Sequence, residues 1–133
     1  MDYSHLLQTL VDSADLIILG LVGIATKYVI NYTQNNVKND DLRTSLITSE
    51  KMLESAVLSA IGNLSASTKK ALADGSIDKE DLEKIKKAAY ANYKEKIEPE
   101  VEKRLEAHIK DVQGWVLNSI ESKLESANKV TNV

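Results

Sequence analysis

LIILGLVGIA, residues Leu16 to Ala25, is a run of ten apolar or small residues without a charge. Thr26 and Lys27 interrupt it, and Tyr28, Val29 and Ile30 carry it on. From Leu16 to Tyr32 the span is seventeen residues, which as a helix rises roughly 26 Å at about 1.5 Å per residue. A bilayer core is about 30 Å thick, so this span lies at the short end of what crosses one. Lys27 sits near its end, where a long stem carries an ammonium to the interface. Tyr28 and Tyr32, four residues apart, suit an interfacial aromatic belt. A run of this length fits a helix buried in a protein core equally well. Leu16, Ile17, Ile18, Leu19, Leu21, Val22 and Ile24 are therefore expected to meet lipid or the core of an oligomer. A helix apolar all round suits both surroundings.

The flanks give the segment a direction. Upstream, Leu6, Leu7, Leu10 and Val11 continue an apolar stripe that Asp12 and Asp15 break. The acidic start MDYSH, with no small-x-small site after the run, argues against a cleaved signal peptide. Asp2, Asp12 and Asp15 flank one end without Lys or Arg, while Lys27, Lys38 and Arg43 lie at the other. If the helix spans, positive charge places the following body in the cytoplasm and the N-terminus outside. Gly20 and Gly23 are three apart, which is not the GxxxG spacing of a helix-dimer face. Asn31 to Asp41 (NYTQNNVKNDD) reads as a hinge, because Asn and Asp bond to nearby backbone in competition with a helix. Asp40 or Asp41 is the expected N-cap of the helix beyond it. The chain thus divides into an apolar N-terminal helix, residues 1–38, and a charged helical body, residues 39–133.

In the body, Leu42, Leu46, Leu53, Val57, Ile61 and Leu64 recur at three, four or their sums, the period of an amphipathic helix. Gly62-Asn63 and Ser65 to Thr68 weaken its middle, so a kink is expected there. Glu50-Lys51-Met52-Leu53-Glu54 reads as solvated surface pairs. The helix is expected to stop at Ala73-Asp74-Gly75, with Gly75 in the left-handed conformation that ends helices. Asp78 then fits as N-cap of the next helix, and Ile77 and Leu82 as the hydrophobic staple across it. The result is a helical hairpin with its turn at residues 74–78. A calcium loop is the functional alternative. Aligning Gly75 with that loop's glycine puts Lys70 and Leu72 at its first and third ligand positions and Asp81 where a bidentate Glu belongs, so calcium is not expected.

The next helix runs from Lys79 to about Ile97 with Leu82, Ile85, Ala89 and Tyr93 inward. Its Lys84, Lys86, Lys87, Lys94 and Lys96 are interleaved with acids and read as a solvated face rather than a surface for anionic lipid or nucleic acid. Pro99 is best placed at a helix's first position. From there one long helix to Ala127 is expected, its stripe made by Val101, Leu105, Ile109, Val112, Val116, Ile120, Leu124 and Ala127. The mean spacing of about 3.7 predicts straight or slightly right-handed packing. A stripe that long needs a partner, either the preceding helices or another copy of the chain. Trp115, off the stripe, reads as a lid on the core edge, and His108 as a boundary residue.

Composition narrows the function classes. In 133 residues there is no cysteine, which removes disulfides, thiolate metal sites and a cysteine nucleophile. Two histidines cannot build a multi-histidine metal centre without a second copy of the chain. A net charge of −3 without a basic tail argues against general nucleic-acid binding. One proline, five glycines and 5% aromatic residues favour long helices. There is no Gly-rich phosphate loop, no HExxH, no GxSxG and no metal-spaced cluster. An all-α, non-enzymatic protein is expected, with no catalytic residue, metal, cofactor or small-molecule substrate.

The layout as a whole, an apolar N-terminal helix with an acidic flank ahead of a charged helical body containing ALADGSIDKEDLEKIKKAA (residues 71–89), resembles small bacteriophage holins, particularly the LLH group. That resemblance implies a protein that accumulates in the host cytoplasmic membrane and oligomerises. It would then open a lesion through which an endolysin reaches the cell wall. A rival expectation is a helical structural or assembly protein of a phage virion, its N-terminal helix buried in an oligomer. The partners expected are other copies of the chain, with the lipid bilayer or other phage proteins beside them.

Overall fold

The computed structural model describes the backbone of residues 3–128 and the side chains of residues 16–128. Six helices succeed one another there: α1 (Tyr3–Asn36), α2 (Asp40–Gly62), α3 (Ala66–Asp74), α4 (Lys79–Lys96), α5 (Pro99–His108) and α6 (Val112–Asn128), with no strand among the described residues. The fold is all-α, an apolar N-terminal helix followed by helices that pack together, as composition and periodicity predicted. The side chains of Leu6, Leu7, Leu10, Val11, Asp12 and Asp15, and all of Asp2, lie outside the described residues.

The expected hinge over residues 31–41 is much shorter in the structure. α1 continues to Asn36 because the polar side chains there bond back along the helix instead of competing with it. Thr33 Oγ1 donates to the Val29 carbonyl at 2.8 Å, and Asn36 Nδ2 donates to the Tyr32 carbonyl at 2.9 Å. Only residues 37–39 separate α1 from α2. The cap of α2 is Asn39, whose Oδ1 accepts from the Leu42 amide at 3.0 Å. Asp40 and Asp41, expected as the cap, occupy the first turn, where carboxylates favour the helix dipole.

The helix expected from Leu42 to Asp74 is two helices. α2 stops at Gly62, and Ser65 restarts the chain as N-cap of α3, its hydroxyl accepting from the Thr68 amide at 3.2 Å. The hairpin turn forms as predicted. Gly75 has φ 76°, and the Ser76 amide closes the helix end by donating to the Ala71 carbonyl at 2.9 Å. Asp78 Oδ1 accepts from the Asp81 amide at 2.8 Å, and the half-buried Ile77 and Leu82 pack against the core on either side of that cap.

Pro99 stands at the start of α5, as expected. The single helix expected from Pro99 to Ala127 is broken at residues 109–111. Ile109 is extended (φ −119°, ψ 122°), and Asp111 Oδ1 takes the Gly114 amide at 3.0 Å, starting a new helix. Aspartate offers the backbone a cap in place of a continuing turn, and that competition wins here. The predicted stripe nevertheless faces inward on both pieces. Val101, Leu105, Val116, Ile120 and Leu124 are buried, and Ile109 and Val112 are half-buried at the elbow. Broken in this way, the stripe is covered by the chain itself.

α2 is the hub, touching α1, α4, α5 and α6. α1 runs antiparallel to it: Ile18 shares a cleft with Leu58 and Ile61, whereas Val29 shares one with Glu50. At the link, Arg43 donates to the Val37 carbonyl at 3.2 Å. One buried apolar cluster joins all six elements, with Leu53, Val57, Leu72, Ile85, Tyr93, Leu105 and Ile120 at its centre, and among the described residues α1 adds Ile18 and Val22.

Candidate functional site: the two faces of α1

α1 has one face on the body and one in water. Ile18, Val22, Thr26 and Thr33, spaced by four, four and seven, are buried against the chain's own body. Leu21 is half-buried. The opposite face carries Leu16 (67% exposed), Leu19 (51%), Ile24 (69%) and Tyr28 (73%), with Ile17 and Tyr32 also exposed. Lys27 lies exposed among them, and no acid is found between Leu16 and Asn36. Leu16–Asn36 is long and apolar enough to cross a membrane, and 22% of its most apolar window is buried. A core helix of that composition would be mostly covered. Contiguous exposed apolar surface of this kind marks a contact with lipid or with another protein.

Beneath α1 lies a feature that sequence reading missed. Glu50 on α2 and Lys123 on α6 form a salt bridge, with side chains only 2% and 3% exposed. Glu50, expected at the surface, is therefore a core residue. Both residues occupy stripe positions: Glu50 fills the gap between Leu46 and Leu53, and Lys123 stands between Ile120 and Ala127 at spacings of three and four. That gap was the available signal, since a charge in line with an apolar stripe must be paired to be buried. A cavity of about 200 Å³ opens beside the pair, with Ala25 and Val29 of α1 on one wall and Trp115, Asn118 and Ser122 of α6 on the other. Trp115, expected as a lid, is half-buried and lines this cavity.

A second polar patch lies deeper. Tyr93 is buried with its hydroxyl toward Ser49 of α2, yet neither hydroxyl reaches a hydrogen-bond partner, and those of Ser45 and Thr26 also lack one. Burial raises the Tyr93 pKa above the usual phenol value. On the surface, hydrogen bonding to Glu102 raises that of Lys94. The lysine-rich face of α4 engages acids: Lys84 meets Glu80 at 3.9 Å, Lys86 meets Glu121 at 3.2 Å, and Lys94 meets Glu102. His108 is exposed at the end of α5. Among the described residues, no three His, Asp or Glu side chains gather as a metal site. The turn residues Gly75, Ile77, Asp78 and Leu82 sit at the α3–α4 corner in structural roles.

No protein-family model, curated protein or solved structure matches this chain.

Proposed function

We propose that this chain is a non-enzymatic, membrane-active protein of the holin kind. α1 enters the host cytoplasmic membrane, the body from α2 onward remains on the cytoplasmic side, and copies assemble into a lesion that permits lysis. The observation that carries this reading is the outer face of α1. Moving Leu16, Ile17, Leu19 and Ile24 from water to hydrocarbon gains about 3.5–7 kcal/mol, at about 1.5–3 kcal/mol per fully exposed side chain scaled by exposure. Lys27 and the exposed Tyr28 and Tyr32 then sit at headgroup level, with Lys38 and Arg43 beyond them on the cytoplasmic side. Induced expression is expected to place the chain in the membrane fraction and to arrest the host cells, and Leu19→Arg to abolish both. A chain that stays wholly soluble and harmless overturns the reading.

A second reading has one observation in its favour: α1 already spends one face on protein, through Ile18, Val22 and Thr26. In a virion structural or assembly protein the outer face would pack against other copies. Light scattering without detergent separates the two, because this reading requires a stable soluble oligomer.

A further inference from the structure

We propose that α1 is a releasable strap: seated on the body it covers the Glu50–Lys123 pair and Trp115, and it must leave that seat to enter lipid. The inference rests on the membrane reading above and adds its regulation. The seat is poorly sealed. Where α1 crosses α2 and α6, a cavity of about 200 Å³ separates Ala25 and Val29 from Glu50, Lys123, Trp115 and Asn118. This cleft opens to the surface beside the exposed Asn118 and Ser122, so α1 does not pack tightly onto α6 there. The seated face of α1 also buries Thr26, whose hydroxyl has no partner in the seat. The seated helix thus exposes leucine and isoleucine that its release into lipid would cover.

Among the described residues, the helices of the body are also tied directly to one another. Within the buried apolar cluster of the described residues, α1 supplies only Ile18 and Val22. α2 is tied to α6 by Glu50–Lys123, α4 to α6 by Lys86–Glu121, α4 to α5 by Lys94–Glu102, and α4 to α2 by Asn92 donating to the Ala56 carbonyl at 3.4 Å. None of these ties passes through α1. The covalent joint is short, since residues 37–39 link α1 to α2.

The absence of cysteine makes the test clean. Ala25→Cys with Ser122→Cys places two thiols on opposite walls of the cavity, to be joined in the full-length chain by a short, reducible bis-maleimide. Val29→Cys with Ser119→Cys is the second pair should the first disturb folding, judged by helicity before linking. Each protein is mixed with vesicles of phosphatidylethanolamine and phosphatidylglycerol; sedimentation reports binding, and emission of Trp115, the only tryptophan, reports uncovering of the seat. Linking removes the binding-competent state, so vesicle binding is expected to fall at least about tenfold and to return on reduction, with Trp115 shifting to the red. If linked and reduced forms bind alike, the strap is refuted and the membrane reading stands. If the reduced form binds with unchanged Trp115 emission, α1 reaches lipid without leaving its seat, which also refutes the strap. If neither form binds, the membrane reading fails and the strap falls with it.

Discussion

Replacing Lys123 by Met should destabilise this chain more than almost any surface substitution could. The Lys123 and Glu50 side chains are 3% and 2% exposed, so the substitution strands a carboxylate between α2 and α6 with almost none of its surface in solvent. Breaking a buried pair in this way costs about 3–5 kcal/mol, whereas an exposed pair contributes about 0–1 kcal/mol. For a chain of this size the larger figure corresponds to a loss of about 10–20 °C in Tm. Glu50→Leu together with Lys123→Met is expected to restore stability to within about 1 kcal/mol of the parent or above it, because apolar replacements of a buried pair are often neutral or better. Urea titration followed by far-ultraviolet circular dichroism gives the global value. The emission of Trp115, which lines the cavity beside the pair, gives the local one. A cost below about 1 kcal/mol for Lys123→Met would refute the burial. A double variant no more stable than the single one would show that the cost does not come from the stranded charge.

Three further outcomes are expected. Leu19→Arg, on the outer face, should leave the melting curve within about 0.5 kcal/mol of the parent while abolishing vesicle binding, whereas Val22→Arg, at a fully buried position, should cost about 3 kcal/mol or more in thermal melts without any membrane present. Gly75→Ala should cost about 1–2 kcal/mol because φ is 76° there, and Asp78→Ala about 1 kcal/mol through loss of the α4 cap, both read from urea midpoints. Tyr93→Phe should be neutral or stabilising at neutral pH, since it removes a buried hydroxyl with no partner. It should also soften the alkaline loss of stability: the folded chain holds the Tyr93 proton after the unfolded chain has released it, so stability falls as pH rises past about 10. Lys94, held protonated by Glu102, contributes stability below its unfolded pKa that is lost in the same direction, and titration of the parent against Tyr93→Phe by circular dichroism separates the two.

What could be read from the sequence was whatever local chemistry decides. The left-handed Gly75, the Asp78 cap and Pro99 at a helix start all depend on residues within a few positions of one another, and all are present. The inward faces of α4, α5 and α6 come equally from their spacing. The breaks were harder, because a three-to-four stripe continues across them: Val101 through Leu124 keeps its period while Asp111 diverts the backbone between its two halves. Asp111 three residues ahead of Gly114 is a cap signal of the same kind as Asp78 three ahead of Asp81, and a stripe that runs past such a residue need not be one helix. The Glu50–Lys123 pair was harder still. Its partners lie 73 residues apart, and only tertiary packing turns two charges on apolar stripes into one buried contact. The division of α1 into a seated and a bare face likewise depends on where α2 and α6 lie, which a run apolar on all sides does not encode.

The elbow at residues 109–111 bears on how copies of the chain can join. An unbroken helix from Pro99 to Ala127 would be a rod about 44 Å long with an apolar edge for its whole length, and such an edge recruits a neighbour at every encounter. Folding the rod at its midpoint consumes that edge inside the molecule and leaves the outer side of α1 as the large exposed apolar surface among the described residues. Were that side of α1 to dock on its like, two copies meeting across a two-fold axis would close as a pair. Growth beyond a pair requires a second docking face, and lifting α1 creates one in the vacated groove between α2 and α6. On the proposed release of α1, larger assemblies would follow opening and not precede it.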